Sequence, residues 1–202
     1  MTKTLTLAVC AAALVSGAAF AASPTPMTPP IAGGMYKIDS NHTQALFEIN
    51  HMGFSEFYGV IPKATGMMML DPAHPSADTL DVTLPVGMIS TTNTVLDGEL
   101  KDSTWLDAAK YPDIHFVATK VTTTGTDTAM IMGNLTMHGV TRPVMLDAKF
   151  TGAGNNPMSK AYTIGFSAKG MIKRSDFGVT KYVPLIGDEV KLMITAAFEK
   201  QD

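Results

Sequence analysis

The sequence predicts an all-β fold in which antiparallel strands form a sandwich or a barrel. Apolar residues recur at every second position along much of residues 44–198, as in strands that bury one face. Turn-forming stretches such as DPAHPSAD (residues 71–78) and GNNP (residues 154–157) divide these strands. The sequence has no internal repeat and little helical pattern, so its elements fit a sheet that packs on another sheet or closes on itself.

The composition suits one domain with a sizeable core. The chain has 202 residues, of which 46% are hydrophobic and 16% are charged, and this length corresponds to one domain or at most two. Its formal net charge is -3, and the sequence contains no run rich in Lys and Arg. These features argue against nucleic acid as a partner.

Residues 1–21 have the pattern of a secretory signal peptide. Lys3 gives a positive start, an apolar run extends from Leu5 to Val15, and Ala19-Phe20-Ala21 forms the small-x-small pattern of a cleavage site. The apolar run is shorter than the ~20 residues that span a membrane. We therefore expect export to the periplasm, cleavage after Ala21 and no membrane span in the mature chain. Cys10 is lost with the signal, which excludes disulfides and a thiol nucleophile.

Residues 22–34 follow as a Pro- and Gly-rich leader, and residues 35–202 are predicted to form the folded domain. The strands of this domain present apolar faces that contain Phe47, Ile49 and His51; Val82, Leu84, Val86 and Met88; Ile131, Gly133, Leu135 and Met137; Val144, Leu146, Ala148 and Phe150; Tyr162, Ile164, Phe166 and Ala168; and Val190, Leu192, Ile194, Ala196 and Phe198. Asp81, Asp147 and Lys149 lie on the opposite faces. The apolar faces therefore point inward, which is the reverse of an outer-membrane barrel with a polar interior.

Two segments between strands have their own patterns. TVLDGELKDSTWLDAAK (Thr94–Lys110) predicts one or two short helices that close one end of a barrel, with Thr94 as the N-cap and Asp97 completing a capping box. HGVTRP (residues 138–143) is the predicted turn of a hairpin, in which Gly139 supplies unusual backbone angles and Pro143 opens the second strand. A hairpin explains this cluster of polar residues without catalysis.

Segments in order along the chain resemble the YceI-like family of secreted, lipocalin-like barrels that bind polyisoprenoid lipids. They are YKIDSNHT (Tyr36–Thr43), INHMGFSEFYG (Ile49–Gly59), LKDSTWLDAAKYPDIHF (Leu100–Phe116), GNLTMHGVTRPVML (Gly133–Leu146) and IKRSDFGV (Ile172–Val179). The resemblance covers Tyr36 to about Lys200 and implies an all-β, antiparallel lipocalin-like β-barrel of about eight strands. Thr43, Glu99 and Ala118 depart from the family pattern, in which serine, histidine and serine are common.

The resemblance and the inward apolar faces together imply a cavity that holds an isoprenoid chain or an isoprenoid quinone. The expected ligand-binding residues are Phe47, Ile49, His51, Leu84, Trp105, Leu106, Phe116, Leu135, Leu146, Phe166, Arg174, Phe177 and Leu192, with Trp105 and Leu106 near the mouth. Arg174, with Lys173, is a candidate for binding a polar head such as a diphosphate. Alternatively, Arg174 and Asp176 satisfy backbone groups or pair with each other near the rim. No other cofactor is expected, and the sequence does not decide whether the protein forms a homodimer.

No catalytic or metal-binding residue is predicted. The histidines, His42, His51, His74, His115 and His138, form no metal-binding spacing, and the sequence has no G-x-S-x-G nucleophile motif. His51 continues an inward face, where a hydrogen-bonded interior histidine is expected. The methionines of GMMML (Gly66–Leu70) favour core packing over a copper site. A periplasmic isoprenoid carrier is favoured, and an enzyme that uses His51, Arg174 and Asp176 is the alternative.

Overall fold

The computed structural model describes residues 31–202. The predicted signal peptide, its cleavage site, Cys10 and residues 22–30 of the leader lie outside the described residues. The strands are β1 (Gly34–Ile38), β2 (Gln44–His51), β3 (Ser55–Pro62), β4 (Thr65–Leu70), β5 (Thr79–Pro85), β6 (Asp113–Thr123), β7 (Thr128–Met137), β8 (Val140–Asn155), β9 (Tyr162–Lys173) and β10 (Ile186–Lys200). The helix α1 is Thr94–Lys101, and short 3-10 turns lie at Pro75–Ala77, Val86–Met88 and Arg174–Phe177. Within residues 31–202, no helix is long and apolar enough to span a membrane.

The strands close into an antiparallel barrel, which confirms the predicted fold class. Neighbouring strands follow the order β1-β4-β5-β6-β7-β8-β9-β10, and β10 pairs again with β1 to complete the ring. The β2–β3 hairpin joins the same sheet through β10. Closure leaves no open edge within the ring, whereas β3, in the described part of the chain, pairs along its length only with β2 and at Val60 forms a single bridge with Ser90.

One side of strand β10 pairs with β9, and its other side pairs with two strands in succession. Its residues 186–195 pair with β2, and its residues 198–200 pair with β1. At the break, the Thr43 hydroxyl donates to the carbonyl oxygen of Ala197 (3.2 Å) and accepts from the amide of the same residue (3.0 Å). The hydroxyl thereby gives the Ala197 amide its partner, while the Ala197 carbonyl oxygen also accepts from the Asp39 amide at 2.9 Å. A serine hydroxyl can make the same two bonds, so the departure at Thr43 leaves the fold intact.

The apolar faces point into the barrel, as predicted. Their buried side chains form two clusters, a larger one that includes Phe116, Trp105 and Phe177 and a smaller one around Tyr36 and Ile164. The predicted inward face of β5, which extends to Met88, is longer than the strand. Strand β5 ends before the predicted alternation does, so Val86 is buried in a 3-10 turn and Met88 is exposed.

Asn93 caps α1 in place of the predicted Thr94. The Asn93 side-chain oxygen accepts hydrogen bonds from the amides two and three residues later, at 3.1 and 3.3 Å. The Thr94 prediction was wrong because asparagine, one residue earlier, is itself a strong N-cap former. The helix ends at Lys101, well before the predicted limit of Lys110, and turns make up most of the remainder.

The β7–β8 hairpin turns on His138 and Gly139 alone. Both residues have positive φ, 53° and 75°, as a two-residue type I′ turn requires. Strand β8 therefore begins at Val140, earlier than predicted, and Pro143 lies inside it. The missing amide of Pro143 is tolerated because β9 pairs with β8 only from Leu146 onward.

Candidate ligand cavity

The barrel encloses a cavity of about 670 Å³. At one end its wall includes Leu96, Leu100 and Trp105, from α1 and the segment after it, so this segment lies over that end of the barrel and covers part of it. At the other end the cavity reaches the β6–β7 turn, residues 125–127. The wall between is formed by the inward apolar faces of the strands. The volume falls in the range of roughly 300–1,000 Å³ that ligand cavities occupy.

The structure brings nearly all of the predicted binding residues into the wall of this cavity. They are Phe47, Ile49, His51, Leu84, Trp105, Leu106, Phe116, Leu135, Leu146, Phe166, Arg174 and Leu192. The exception is Phe177, which is 1% exposed and packs in the larger core cluster instead. Strand alternation gives a side-chain direction for most of these residues, but Phe177 lies in a 3-10 turn, where alternation gives none.

Arg174 is buried, and its guanidinium is engaged by backbone carbonyl groups. Nε donates to Gly187, Nη1 donates to Val179 and Lys181, and Nη2 donates to Ile186, at 2.9–3.0 Å. These carbonyls belong to the segment that leads from the 3-10 turn into the start of β10. Charge-assisted hydrogen bonds of this length hold the segment in place. The structural alternative therefore describes Arg174, and this geometry leaves little capacity for a diphosphate.

The other residues of the RSDFG motif anchor the same segment. The amide and hydroxyl of Ser175 donate to the two carboxylate oxygens of Asp188, at 2.9 and 2.7 Å. Gly178 ends the turn with φ of 80°, a value that favours glycine. The predicted pairing of Asp176 with Arg174 was wrong, because Asp176 is exposed and Arg174 donates to carbonyls. The carboxylate that the motif uses is that of Asp188.

Burial and charge shift the pKa values of two groups in this anchor. Burial lowers the pKa of the Arg174 guanidinium, and the nearby Asp188 carboxylate opposes that change. Burial also acts to raise the pKa of Asp188, but the hydrogen bonds from Ser175 and the positive charges of Arg174 and Lys173 outweigh it and hold the pKa below its usual value. Asp188 is therefore ionised at neutral pH.

Trp105 packs between α1 and the anchored segment. Its ring centroid lies 5.3 Å from Cζ of Arg174 and 5.6 Å from Nζ of Lys181. Tyr182 meets it edge-on, with ring centroids 6.1 Å apart. The indole Nε1 is buried and has no hydrogen-bond partner within residues 31–202. The positive charges of Arg174 and Lys181 over the ring offset part of the free-energy cost of burying this unpaired N–H group.

His51 lines the cavity but lacks the predicted hydrogen bond. Its ring is tilted against that of Phe57, with centroids 6.1 Å apart. In the part of the chain that the structure describes, its imidazole has no hydrogen-bond partner. The prediction was wrong because the residue is only half-buried at the end of β2, where the rule that buried polar groups are paired does not apply.

The remaining histidines bond to aspartates or to the backbone. His42, His74 and His115 form exposed pairs with Asp39, Asp71 and Asp81, and His138 Nδ1 donates to the carbonyl oxygen of Phe177 at 3.0 Å. Within residues 31–202, no group of three or more His, Cys, Asp or Glu side chains could hold a metal ion. His51, Arg174 and Asp176 are not assembled into a reactive set, since Asp176 is exposed and Arg174 is bound to the backbone.

Several cavity residues were not identified from the sequence. Ile31 lines the cavity from the end of the leader, Met68 from β4, and Tyr182 from the segment that Arg174 anchors. Glu99, a departure from the family pattern, also lies in the wall at the α1 end. Met68 had a detectable signal, because it alternates with the outward Met67 and Met69, but Ile31 and Tyr182 lie outside any periodic segment.

Residues 36–198 match the family described as the YceI-like domain. The chain is 38% identical over 162 residues to protein YceI of Salmonella arizonae, covering 79% of this chain and 84% of that protein. It is 36% identical over 162 residues to a UPF0312 protein of Yersinia pestis, covering 79% of this chain and 83% of that protein.

Solved structures share the fold. A Campylobacter jejuni YceI protein has a TM-score of 0.66 at 30% identity, covering 76% of this chain and 91% of its own. BcnA of Burkholderia cenocepacia has a TM-score of 0.71 at 21% identity, covering 79% and 98%. A polyisoprenoid binding domain from Saccharophagus degradans has a TM-score of 0.61 at 12% identity, covering 82% and 98%. The last two similarities concern the fold alone.

Proposed function

The chain belongs to the YceI-like family, and on that premise we propose that it is a periplasmic binding protein for an isoprenoid lipid. The isoprenoid chain lies along the barrel cavity, between α1 and the β6–β7 turn. The polyisoprenoid binding domain of Saccharophagus degradans, which has the same fold, supports this class of ligand.

The observation that carries the proposal is the distribution of polarity along the cavity wall. The charged residues that line it lie at its ends, with Glu99 and Arg174 near α1 and Asp78 and Asp127 at the opposite end. The middle is lined by apolar side chains such as Phe166. A long hydrocarbon gains roughly 0.8 kcal/mol for each CH₂ that it buries there. A polar ligand of the same length would leave its polar groups unpaired.

The contacts of Arg174 favour a neutral head group, such as the ring of a quinone or the hydroxyl of a polyprenol. Four of the guanidinium donors are used by carbonyl oxygens. A diphosphate at this end would compete for donors that fix the fold, and desolvating its charge would be costly. A quinone or prenol has no such requirement.

Binding is favoured over the enzymatic alternative because the candidate residues for catalysis are separate. General acid–base chemistry needs groups within hydrogen-bond reach of each other or of a shared substrate. His51 lines the cavity, whereas Asp176 is exposed on the 3-10 turn outside it. His51 and Arg174 share the cavity wall, but the guanidinium is used by backbone carbonyls and Asp176 lies outside, so the three residues do not form one reactive site.

The test is to express the whole chain with its own predicted signal peptide, purify the exported protein and extract any bound lipid from it. Organic solvent extracts from the purified protein are analysed by mass spectrometry, and lipid is quantified against protein. We expect an isoprenoid quinone or polyprenol close to one equivalent. A control with Phe166→Asp, which places a charge in the middle of the cavity, should release none.

Protein without any isoprenoid, which also fails to bind added prenols or quinones, would contradict the proposal. Recovery of a prenyl diphosphate as the main lipid would keep the carrier function and overturn the neutral head group. Edman sequencing of the same protein locates the signal-peptide cleavage site, expected after Ala21.

A further inference from the structure

The end of the barrel near α1 exposes large apolar side chains. Phe54 is 88% exposed, Leu185 64%, Tyr182 56% and Met52 48%. Met52 and Phe54 lie in the β2–β3 turn, and Tyr182 and Leu185 lie in the segment before β10. We call these four residues the apolar rim. Exposed aromatic and aliphatic side chains in one patch are characteristic of a surface that binds a partner.

Backbone hydrogen bonds hold the apolar rim together. The Met52 amide donates to the carbonyl oxygen of Leu185 at 2.9 Å, which joins the two segments. The Ile186 amide donates to the carbonyl oxygen of Tyr182 at 2.8 Å, and the Phe54 amide donates to that of His51 at 3.1 Å. The rim is therefore a fixed feature of the folded barrel.

The apolar rim borders the cavity. Met52 and Tyr182 belong to the cavity wall and are both about half exposed, so the cavity meets the protein surface between them. His51 and Trp105 lie behind them in the same wall. A ligand that leaves at this end passes over the exposed side chains of the rim.

The opposite end of the cavity is polar. The residues around it include the half-buried Asp71 and Asn156 and the exposed Asp127. Met158, which is 90% exposed, lies there in the β8–β9 turn, away from the cavity wall. The two ends of the cavity thus differ. The end with the apolar rim suits an apolar environment, and the opposite end suits water.

We propose that the apolar rim inserts into the surface of a lipid bilayer, so that the ligand passes between bilayer and cavity without crossing water. This inference rests on the proposed lipid-binding function. Each CH₂ of an isoprenoid chain costs roughly 0.8 kcal/mol in water, which makes release into the aqueous phase very slow. A mouth that touches the bilayer removes that barrier. Tyrosine suits the membrane interface, and Lys181, whose Nζ lies 5.4 Å from the Tyr182 ring centroid, can meet lipid phosphates.

The first test measures vesicle binding of the purified protein by flotation. The vesicles are unilamellar and contain phosphatidylethanolamine and phosphatidylglycerol. Phe54→Ser combined with Leu185→Ser should lower the partition coefficient at least tenfold, whereas Met158→Ser, the matched control at the polar end, should leave it unchanged. Because both rim side chains are more than half exposed, we expect unchanged thermal unfolding.

The second test uses Trp105, the one tryptophan of the chain, as a probe of depth. Phospholipids brominated near the head group should quench its fluorescence in the wild type and in Met158→Ser, and much less in the double rim variant. Transfer of a prenol from vesicles should slow at least tenfold in the rim variant, while its loading from detergent solution stays the same.

Equal vesicle binding by the rim variant and by Met158→Ser would overturn the inference. A second outcome would also overturn it. If the wild type does not bind vesicles but forms a dimer in solution, and the rim variant is a monomer, then a second copy of the chain covers the rim. If the wild type binds vesicles through the rim yet never binds an isoprenoid, the proposed lipid-binding function is wrong, but the rim is still a membrane-binding surface.

Discussion

At the scale of single residues, Arg174 carries a large expected effect on stability. Arg174→Lys keeps the positive charge, but one ammonium group cannot reach the four carbonyl oxygens that the guanidinium holds. Buried carbonyls without partners are costly, so we expect a loss of about 2–4 kcal/mol in the free energy of unfolding. Urea titration measures it.

Arg142→Lys is the matched control for that substitution. Arg142 is exposed and donates to the carbonyl oxygen of the neighbouring Thr141, so its replacement should change stability by less than about 0.5 kcal/mol. If Arg174→Lys kept its stability and instead lost affinity for prenyl diphosphates alone, Arg174 would be a ligand-binding residue after all.

Asp188 predicts a pH-dependent contribution to stability. Its pKa is lower in the folded state than in the unfolded chain. The carboxylate therefore stabilises the fold above the unfolded pKa of about 4, and this contribution is lost as pH falls through the lower, folded-state pKa. Asp188→Asn should cost about 1 kcal/mol at pH 7, and the difference from wild type should shrink below pH 4. A difference that is constant from pH 7 to pH 3 would show that Asp188 acts through shape alone.

The residue scale also explains why the sequence identified Arg174 but not its role. The RSDFG segment was conspicuous, yet its partners are carbonyl groups of residues 179–187, which no side-chain pattern identifies. Tyr182 was missed because the segment before β10 has neither strand nor helix periodicity. Asp188 was missed because it lies at the start of β10, ahead of the alternation that begins at Val190. Contacts of this kind depend on where a loop folds back, and local sequence does not encode that directly.

At the scale of elements, the β7–β8 turn is sensitive to substitution. A Cβ at Gly139 would lie 2.5 Å from Cε1 of Tyr111, and φ there is +75°. Gly139→Val should therefore lower the free energy of unfolding by about 1–3 kcal/mol or more, measured by thermal or urea unfolding.

His138→Ala, at the neighbouring position, separates the turn from ligand binding. It removes one hydrogen bond to the carbonyl oxygen of Phe177, a loss of about 1 kcal/mol, and should leave ligand occupancy unchanged. A cavity emptied by His138→Ala with normal stability would make the turn part of the binding site.

Element types were predictable where one periodicity ran through a segment, and boundaries were not. The alternation of Val144, Leu146 and Ala148 gave the correct inward face for β8. Its start was misplaced because Pro143 looks like a boundary, although β9 does not yet pair with β8 there. Helix α1 was extended too far because residues 102–110 are compatible with a helix but form turns.

At the scale of the whole molecule, closure of the barrel turns many local faces into one cavity. The inward positions of Phe47, Leu135, Phe166 and Leu192 followed from alternation alone, because a strand in a closed barrel has one inside. Whether side chains fill that inside was not predictable, since the same faces suit a packed core or a tunnel. The cavity of about 670 Å³ is a property of the sum of side-chain volumes across the ring.

The cavity predicts how affinity depends on ligand length. Each buried CH₂ contributes roughly 0.8 kcal/mol, so affinity should rise with the number of isoprene units while the chain still fits. It should then level off well before the practical ceiling of about -18 to -21 kcal/mol, because further units stay outside and ordering a flexible chain opposes binding. Ala168, which lines the cavity, offers a way to shorten the tunnel without adding charge.

Ala168→Phe should move the plateau to shorter prenols, since the larger side chain occupies space that the ligand otherwise fills. Met171→Phe is its control, because Met171 is on the same strand, is 54% exposed and lies outside the cavity wall. The measurement is a competition series of prenols of increasing length against a fluorescent prenyl probe, for wild type and both variants. Affinity that does not depend on length, or a plateau that Ala168→Phe leaves in place while circular dichroism stays native, would mean that the chain does not thread the barrel.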